Sequence, residues 1–176
     1  DLERSVIAVP PLCRDTQLKV DATQNKLLIK HIESGGVSSL LYGGNANFYN
    51  ISLAEYDETL NVLEAAAGAE TWIIPSVGPF FGNAMDQAAI LAKRKFPTAM
   101  LLPTMAVSSP KGVDTAILKF VEKAGIPVVL YIKDDGYVNL QVVMNLVKAG
   151  VISWIKYAVV RPDTSADPLL RSIVDN

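Results

Sequence analysis

Short runs rich in Val, Ile and Leu recur along the chain at residues 5–9, 37–42, 71–76, 98–102, 128–132 and 152–158. They lack clean apolar–polar alternation, which predicts strands buried on both faces, as in a parallel sheet covered by helices. Between them the apolar period changes. Leu53, Tyr56, Leu60 and Leu63 are spaced as one face of a helix. Val113, Ile117, Phe120 and Val121 predict a second such face, and Val142, Val143, Leu146 and Val147 a third.

The punctuation agrees. Ser52 followed by Glu55 reads as a capping box, in which each side chain takes a free backbone N–H of the other residue. Asn83 with Asp86, Ser109-Pro110 and Asp167-Pro168 read as further helix starts. Gly35, Gly68, Gly125 and Gly150 stand where helices should stop, because glycine enters the left-handed conformation without a Cβ clash. Six strand-then-helix units therefore follow one another in a single domain over residues 1–176, with no linker or low-complexity tract.

Six such units allow an open doubly wound sheet or part of an eight-unit barrel. The strand starts recur about every 29 residues, so eight units project to roughly 235, near the usual barrel size. A dinucleotide-binding sheet should carry G-x-G-x-x-G after its first strand. Here the first strand runs into Pro10-Pro11-Leu12-Cys13. The periodicity favours a (β/α)8 TIM barrel, of which the chain carries about the first six units.

Composition narrows the chemistry. Hydrophobic residues make up 50% and charged residues 19%, with 16 Lys and Arg against 18 Asp and Glu. That content is too apolar for disorder, and no basic excess exists to neutralise the phosphates of a nucleic acid. One His (His31) and one Cys (Cys13) exclude the usual zinc sites, an internal disulfide, and a Ser-His-Asp triad unless His31 is its base. No apolar run approaches a membrane span and no leader opens the chain, so a cytoplasmic setting is expected.

In α/β folds of either kind, chemistry sits at the carboxyl ends of the strands. Lys156 ends the sixth run, inside Val151-Ile-Ser-Trp-Ile-Lys-Tyr-Ala-Val-Val160, a stretch otherwise almost without charge. An ammonium held there loses hydration, which favours the neutral amine and so a nucleophile able to form a Schiff base. The structural alternative is a stem that packs while its head reaches water. Tyr131 ends the preceding strand, and its phenol could shuttle a proton. Lys133 is the rival amine, but Asp134-Asp135 follow it and predict a loop ion pair. Gly43-Gly44-Asn45 offers unhindered backbone N–H groups for a carboxylate or phosphate. Lys93-Arg94-Lys95 reads as structural, offsetting the dipole of the third helix. Cys13 reads as a plain thiol, and His31 as a surface or packing residue.

Taken together, these segments resemble the dihydrodipicolinate synthase and N-acetylneuraminate lyase family, Schiff-base enzymes on a (β/α)8 barrel. Leu41-Tyr-Gly-Gly-Asn-Ala-Asn47, with Ser52 and Glu55, stands in place of the family's G-T-T-G-E segment. Gly125-Ile-Pro-Val-Val-Leu-Tyr131 is similar to its fifth strand, and Gly150-Val-Ile-Ser-Trp-Ile-Lys156 to the G-I-K segment with the Schiff-base lysine. The resemblance implies catalytic Lys156 and Tyr131, substrate binding at Gly44 and Asn45, and no cofactor or metal. It implies a small 2-oxo acid substrate such as pyruvate and a homotetramer. Neither a nucleic acid nor a membrane is an expected partner.

The departures are specific. The two hydroxyl residues of G-T-T-G-E stand here as Gly44 and Asn45, and an amide cannot lose a proton as a relay. Pro103-Thr-Met-Ala-Val107 lacks the family's strand-four tyrosine, and no arginine falls between Lys133 and Tyr137. The resemblance stops in the sixth helix, so the domain is expected to be incomplete at its carboxyl end. These features argue for an aldolase or dehydratase other than dihydrodipicolinate synthase. A non-catalytic 2-oxo acid or sugar-acid binding or regulatory protein is the alternative, and an open-sheet phosphate binder a third.

Overall fold

The structure is a computed structural model that describes residues 5–176. Its strands are β1 (Ile7–Ala8), β2 (Ser39–Tyr42), β3 (Trp72–Val77), β4 (Ala99–Leu101), β5 (Val128–Ile132) and β6 (Ile152–Tyr157). Its helices are α1 (Ala22–Ser34), α2 (Leu53–Ala66), α3 (Phe81–Leu91), α4 (Pro110–Ala124), α5 (Leu140–Lys148) and α6 (Pro168–Val174). The strands pair in parallel in the order β1-β2-β3-β4-β5-β6. A doubly wound sheet reverses its order at a switch point; this one never does. The six strands curl into a partial (β/α)8 barrel, with successive helices packed on one another from α1 to α6. That geometry removes the open-sheet reading.

The double burial expected of the strands is clearest in the middle of the sheet. Ile73, Ile74, Val77, Met100, Leu101, Val128, Val129 and Leu130 are all buried. They pack with Tyr56, Leu60, Leu63, Ile117, Phe120, Val143 and Leu146 from the helices. Each fully buried large apolar side chain contributes about 1.5–3 kcal/mol relative to exposure. Leu53 and Val147 fall outside the buried faces that the periodicity assigned to them.

Caps explain most helix boundaries. Side chains of Asp21, Ser52, Ser109, Asn139 and Asp167 accept the backbone N–H groups of Gln24, Glu55, Gly112, Val142 and Leu170. The capping box is only half formed, because the Glu55 carboxylate pairs with Arg14 instead of reaching back. The Asn83–Asp86 start is corrected: α3 begins at Phe81 after Phe80, which gives no side-chain cap. Gly125 and Gly150 take the left-handed conformation, with φ of 73° and 70°. Gly35 does not; its φ is −82°, and the turn is made by Gly36 at 81°. Gly68 follows Ala67, an extended C-cap, and no left-handed cap forms there.

Candidate active site

The carboxyl ends of β5 and β6 bring Tyr131 and Lys156 side by side as register partners. One inserted residue sets that register. Val128 pairs with Ile152 but Val129 with Trp154, so Ser153 is the extra residue of a β-bulge. Thr98 Oγ1 donates to the Pro127 carbonyl at 2.9 Å and lies 2.7 Å from Ser153 Oγ, which ties the bulge to the start of β4.

Beyond the bulge, Lys156 Nζ sits 4.0 Å from the centroid of the Tyr131 ring. Burial lowers the Lys156 pKa, and the charge of Lys133 lowers it further. The face of an aromatic ring favours the ammonium and so acts in the opposite sense. Burial and the neighbouring cation both favour the neutral amine. The Tyr131 phenol is raised, first by burial and then by Asp134. It is therefore protonated near neutral pH and able to donate.

Gly44 and Asn45 lie on a 3-10 turn (Gly44–Ala46) directly after β2. The side-chain amide of Asn45 donates to the Val9 carbonyl at 3.2 Å, across to the end of β1. Gly43 is buried, and a Cβ there would come within 2.6 Å of Met100 Cε and 3.3 Å of Ser76 Oγ. A side chain at that position would therefore have to displace the Met100 methyl group from its place against the turn.

Two tyrosines that the sequence reading did not single out join this end of the barrel. The Tyr49 hydroxyl donates to the Pro103 carbonyl at 3.3 Å, and its ring lies against Gly44. Its pKa is raised by burial, then by Tyr131 and Asp134. Tyr137 is buried, and its phenol is pushed up by burial and then by Tyr49. The signal for Tyr49 was its place in a strand-end loop, five residues past the glycine pair.

Lys133 corrects a further expectation. Among the described residues it makes no ion pair with Asp134 or Asp135. Asp135 is held instead by Arg161, whose two terminal nitrogens donate to it at 2.9 and 2.6 Å. Arg161 Nε donates to Asp167 Oδ2 at 2.5 Å, and the Tyr157 hydroxyl donates to Asp167 Oδ1 at 2.7 Å. These bonds hold the Asp167 carboxyl down to about 2, with Arg161 the largest cause.

The remaining candidates lie elsewhere. Lys93 and Lys95 are exposed, whereas Arg94 reaches back to Asp57, Asn61 and Glu64 of α2, so it ties two helices together rather than offsetting a dipole. His31 is exposed in the last turn of α1. Cys13 is half-buried, with its backbone bonded to Asn25. No helix among the described residues is long and apolar enough to cross a membrane.

Comparison with known proteins places this arrangement among related barrels. No family model matches the chain. A curated relative, the probable 5-dehydro-4-deoxyglucarate dehydratase of Bacillus subtilis (strain 168), is 21% identical over 153 residues. The match covers 86% of this chain and 50% of that protein, so the chain spans about half the length of the curated relative. Dihydrodipicolinate synthase from Bacillus clausii superposes with a TM-score of 0.81 at 19% identity, over 97% of this chain and 58% of that one. Ruminococcus gnavus sialic acid aldolase gives 0.82 at 14% identity, over 98% and 59%. N-acetylneuraminate lyase from Fusobacterium nucleatum gives 0.80 at 16% identity, over 99% and 61%. At these identities the likeness establishes the fold.

Proposed function

We propose that this chain, which has the fold of the dihydrodipicolinate synthase and N-acetylneuraminate lyase family and fits it as a divergent form, supplies the Schiff-base half of a 2-oxo acid lyase. The observation that carries the reading is the Lys156 amine, 4.0 Å from the Tyr131 ring at the carboxyl end of the sheet. Its depressed pKa supports the same reading. The Nζ lone pair attacks the keto carbon, and a proton passes from nitrogen to the new hydroxyl. Tyr131 then protonates that hydroxyl as it leaves as water, and the protonated imine remains. The imine draws electrons from the neighbouring carbon, which supports aldol cleavage or loss of water from the substrate.

The first amides of a helical turn have no partner within it, so Gly44 and Asn45 can present theirs to the 2-oxo acid carboxylate. Pyruvate or a related acid suits this geometry, without a metal or organic cofactor. Association as a tetramer and a cytoplasmic location belong to the same proposal, by resemblance to the family.

Borohydride reduction in the presence of pyruvate and a panel of 2-oxo acids tests the reading in the intact protein. The expected result is a stable adduct mapped to Lys156 by mass spectrometry; no adduct with any acid defeats it. The Asn45 side chain, turned to the Val9 carbonyl, favours one second reading, a binding protein without turnover. Saturable binding with no trapped adduct would select that alternative.

A further inference from the structure

In the turn after β2, the carbonyls of Gly43 and Gly44 take the amides of Ala46, Asn47 and Phe48, which leaves the amides of Gly44 and Asn45 without a partner in the turn. Both residues are exposed, and neighbouring free amides at a glycine turn favour an anion. Two amides satisfy only part of a carboxylate, whose two oxygens offer about four acceptor sites. The fold brings one further donor to the same place. The Tyr49 ring has its Cε2 3.8 Å from where a Cβ on Gly44 would stand, and the neighbouring ring carbon carries the phenol. No side chain at position 44 separates the ring from the turn.

That phenol is loosely held. It donates to the Pro103 carbonyl at 3.3 Å, against about 2.8 Å for a well-made O–H···O bond. Tyr49 is 36% exposed, so a ligand can reach it. Burial, then Tyr131 and Asp134, raises its pKa, which keeps the proton in place for donation at neutral pH. The carbonyl on which it rests fixes its position in the barrel. Pro103 lies two residues past Leu101, the partner of Leu130, and so stands beside the end of β5 where Tyr131 follows Leu130. Tyr49 therefore spans the interval from the β2 turn to the ends of β4 and β5. A 2-oxo acid with its carboxylate on the turn and its keto carbon toward Tyr131 and Lys156 crosses that same interval.

We propose that Tyr49 is a substrate-binding residue that completes the carboxylate pocket: its phenol leaves the Pro103 carbonyl and donates to the acid group held by the amides of Gly44 and Asn45. The proposal rests on the reading of that turn as the carboxylate site, and not on the imine. An ionised acceptor is a stronger partner than a neutral carbonyl, which drives the exchange. The ligand class that follows is the free 2-oxo acid rather than its amide or ester.

Titration calorimetry on the intact protein tests this with pyruvate and the 2-oxo acids used for trapping. The acid that binds best is then compared with its neutral amide. Tyr49→Phe keeps the ring on Gly44 and removes only the donor. It is expected to weaken the acid about tenfold and the amide by less than about twofold. A residue that merely braces the turn would behave otherwise, since losing its bond to Pro103 would lower both affinities alike. Equal losses overturn the proposal, and so does an unchanged affinity for the acid. If Tyr49→Phe does not fold, Tyr49→Leu must show the same selective loss. Borohydride trapping separates this proposal from the Schiff-base reading. An acid that binds with the Tyr49-dependent preference but is never trapped removes the imine and leaves the pocket standing. Trapping at Lys156 with a preference that Tyr49→Phe leaves unchanged does the reverse, and a protein that binds no acid overturns both.

Discussion

Arg94 and Arg161 are built from the same parts in different places. Each guanidinium is largely buried, with side chains 11% and 17% exposed, and each is held by two carboxylates from other segments. Arg94 sits on the helical shell, where it joins the end of α3 to Asp57, Asn61 and Glu64 on one face of α2. Arg161 sits at the carboxyl ends of the strands and joins two loops to the start of α6. The first arrangement can act only on stability. The second also takes in a phenol, since the Tyr157 hydroxyl donates to Asp167, and it fixes the segments that follow β5 and β6. Location in a barrel, more than the chemistry of the pair, decides which elements such a clamp joins.

The comparison breaks most sharply at the amine itself. K156M is expected to abolish the borohydride adduct, whereas R94Q leaves adduct formation unchanged when both are trapped with the same 2-oxo acid. R94Q is instead expected to cost about 2 kcal/mol of stability, read from denaturant midpoints, because it strips charged hydrogen bonds from the shell. Tyr56→Phe sharpens the contrast within the core. Its hydroxyl donates to the Ser76 carbonyl at 3.1 Å in a fully buried setting, and its loss should cost about 1 kcal/mol by the same measurement. The smallest effect is expected in acid. The Asp167 carboxyl lies below its ordinary value of 3.8, at about 2, so its ionised form stabilises the folded state. That contribution is full above pH 3.8 and lost as pH falls toward 2. D167N should therefore be less stable than the parent near neutral pH, with the two converging in acid unfolding followed by circular dichroism.

The fold was legible because the six Val/Ile/Leu runs and the helical faces between them repeat one unit, and each of the six became a strand. Tyr131 and Lys156 were legible as strand ends, since a parallel sheet places successive ends on one rim. The start of α3 was not, because Phe80 caps it by backbone geometry alone while Asn83 and Asp86 imitate a cap three residues later. Tyr49 and Arg161 were missed for a different reason. Their partners, Pro103 for one and Asp135 for the other, are 54 and 26 residues away, and no local pattern encodes such pairings. Lys133 was misjudged by proximity in sequence: Asp135 is two residues off but turned toward another cation.

Ser153 works like a frameshift in the ladder between β5 and β6. Were Ser153 paired as an ordinary residue, counting down the two strands would set Ile155 beside Tyr131 and move Lys156 along to Ile132, with the amine sent to the opposite side of the sheet. A ladder paired regularly through Ser153 would thus keep every chemical group in the chain and still separate Tyr131 from Lys156, whereas deleting Ser153 would leave the two opposite each other. The spelling of this barrel at one hydroxyl-pinned residue sets which side chains meet at its rim.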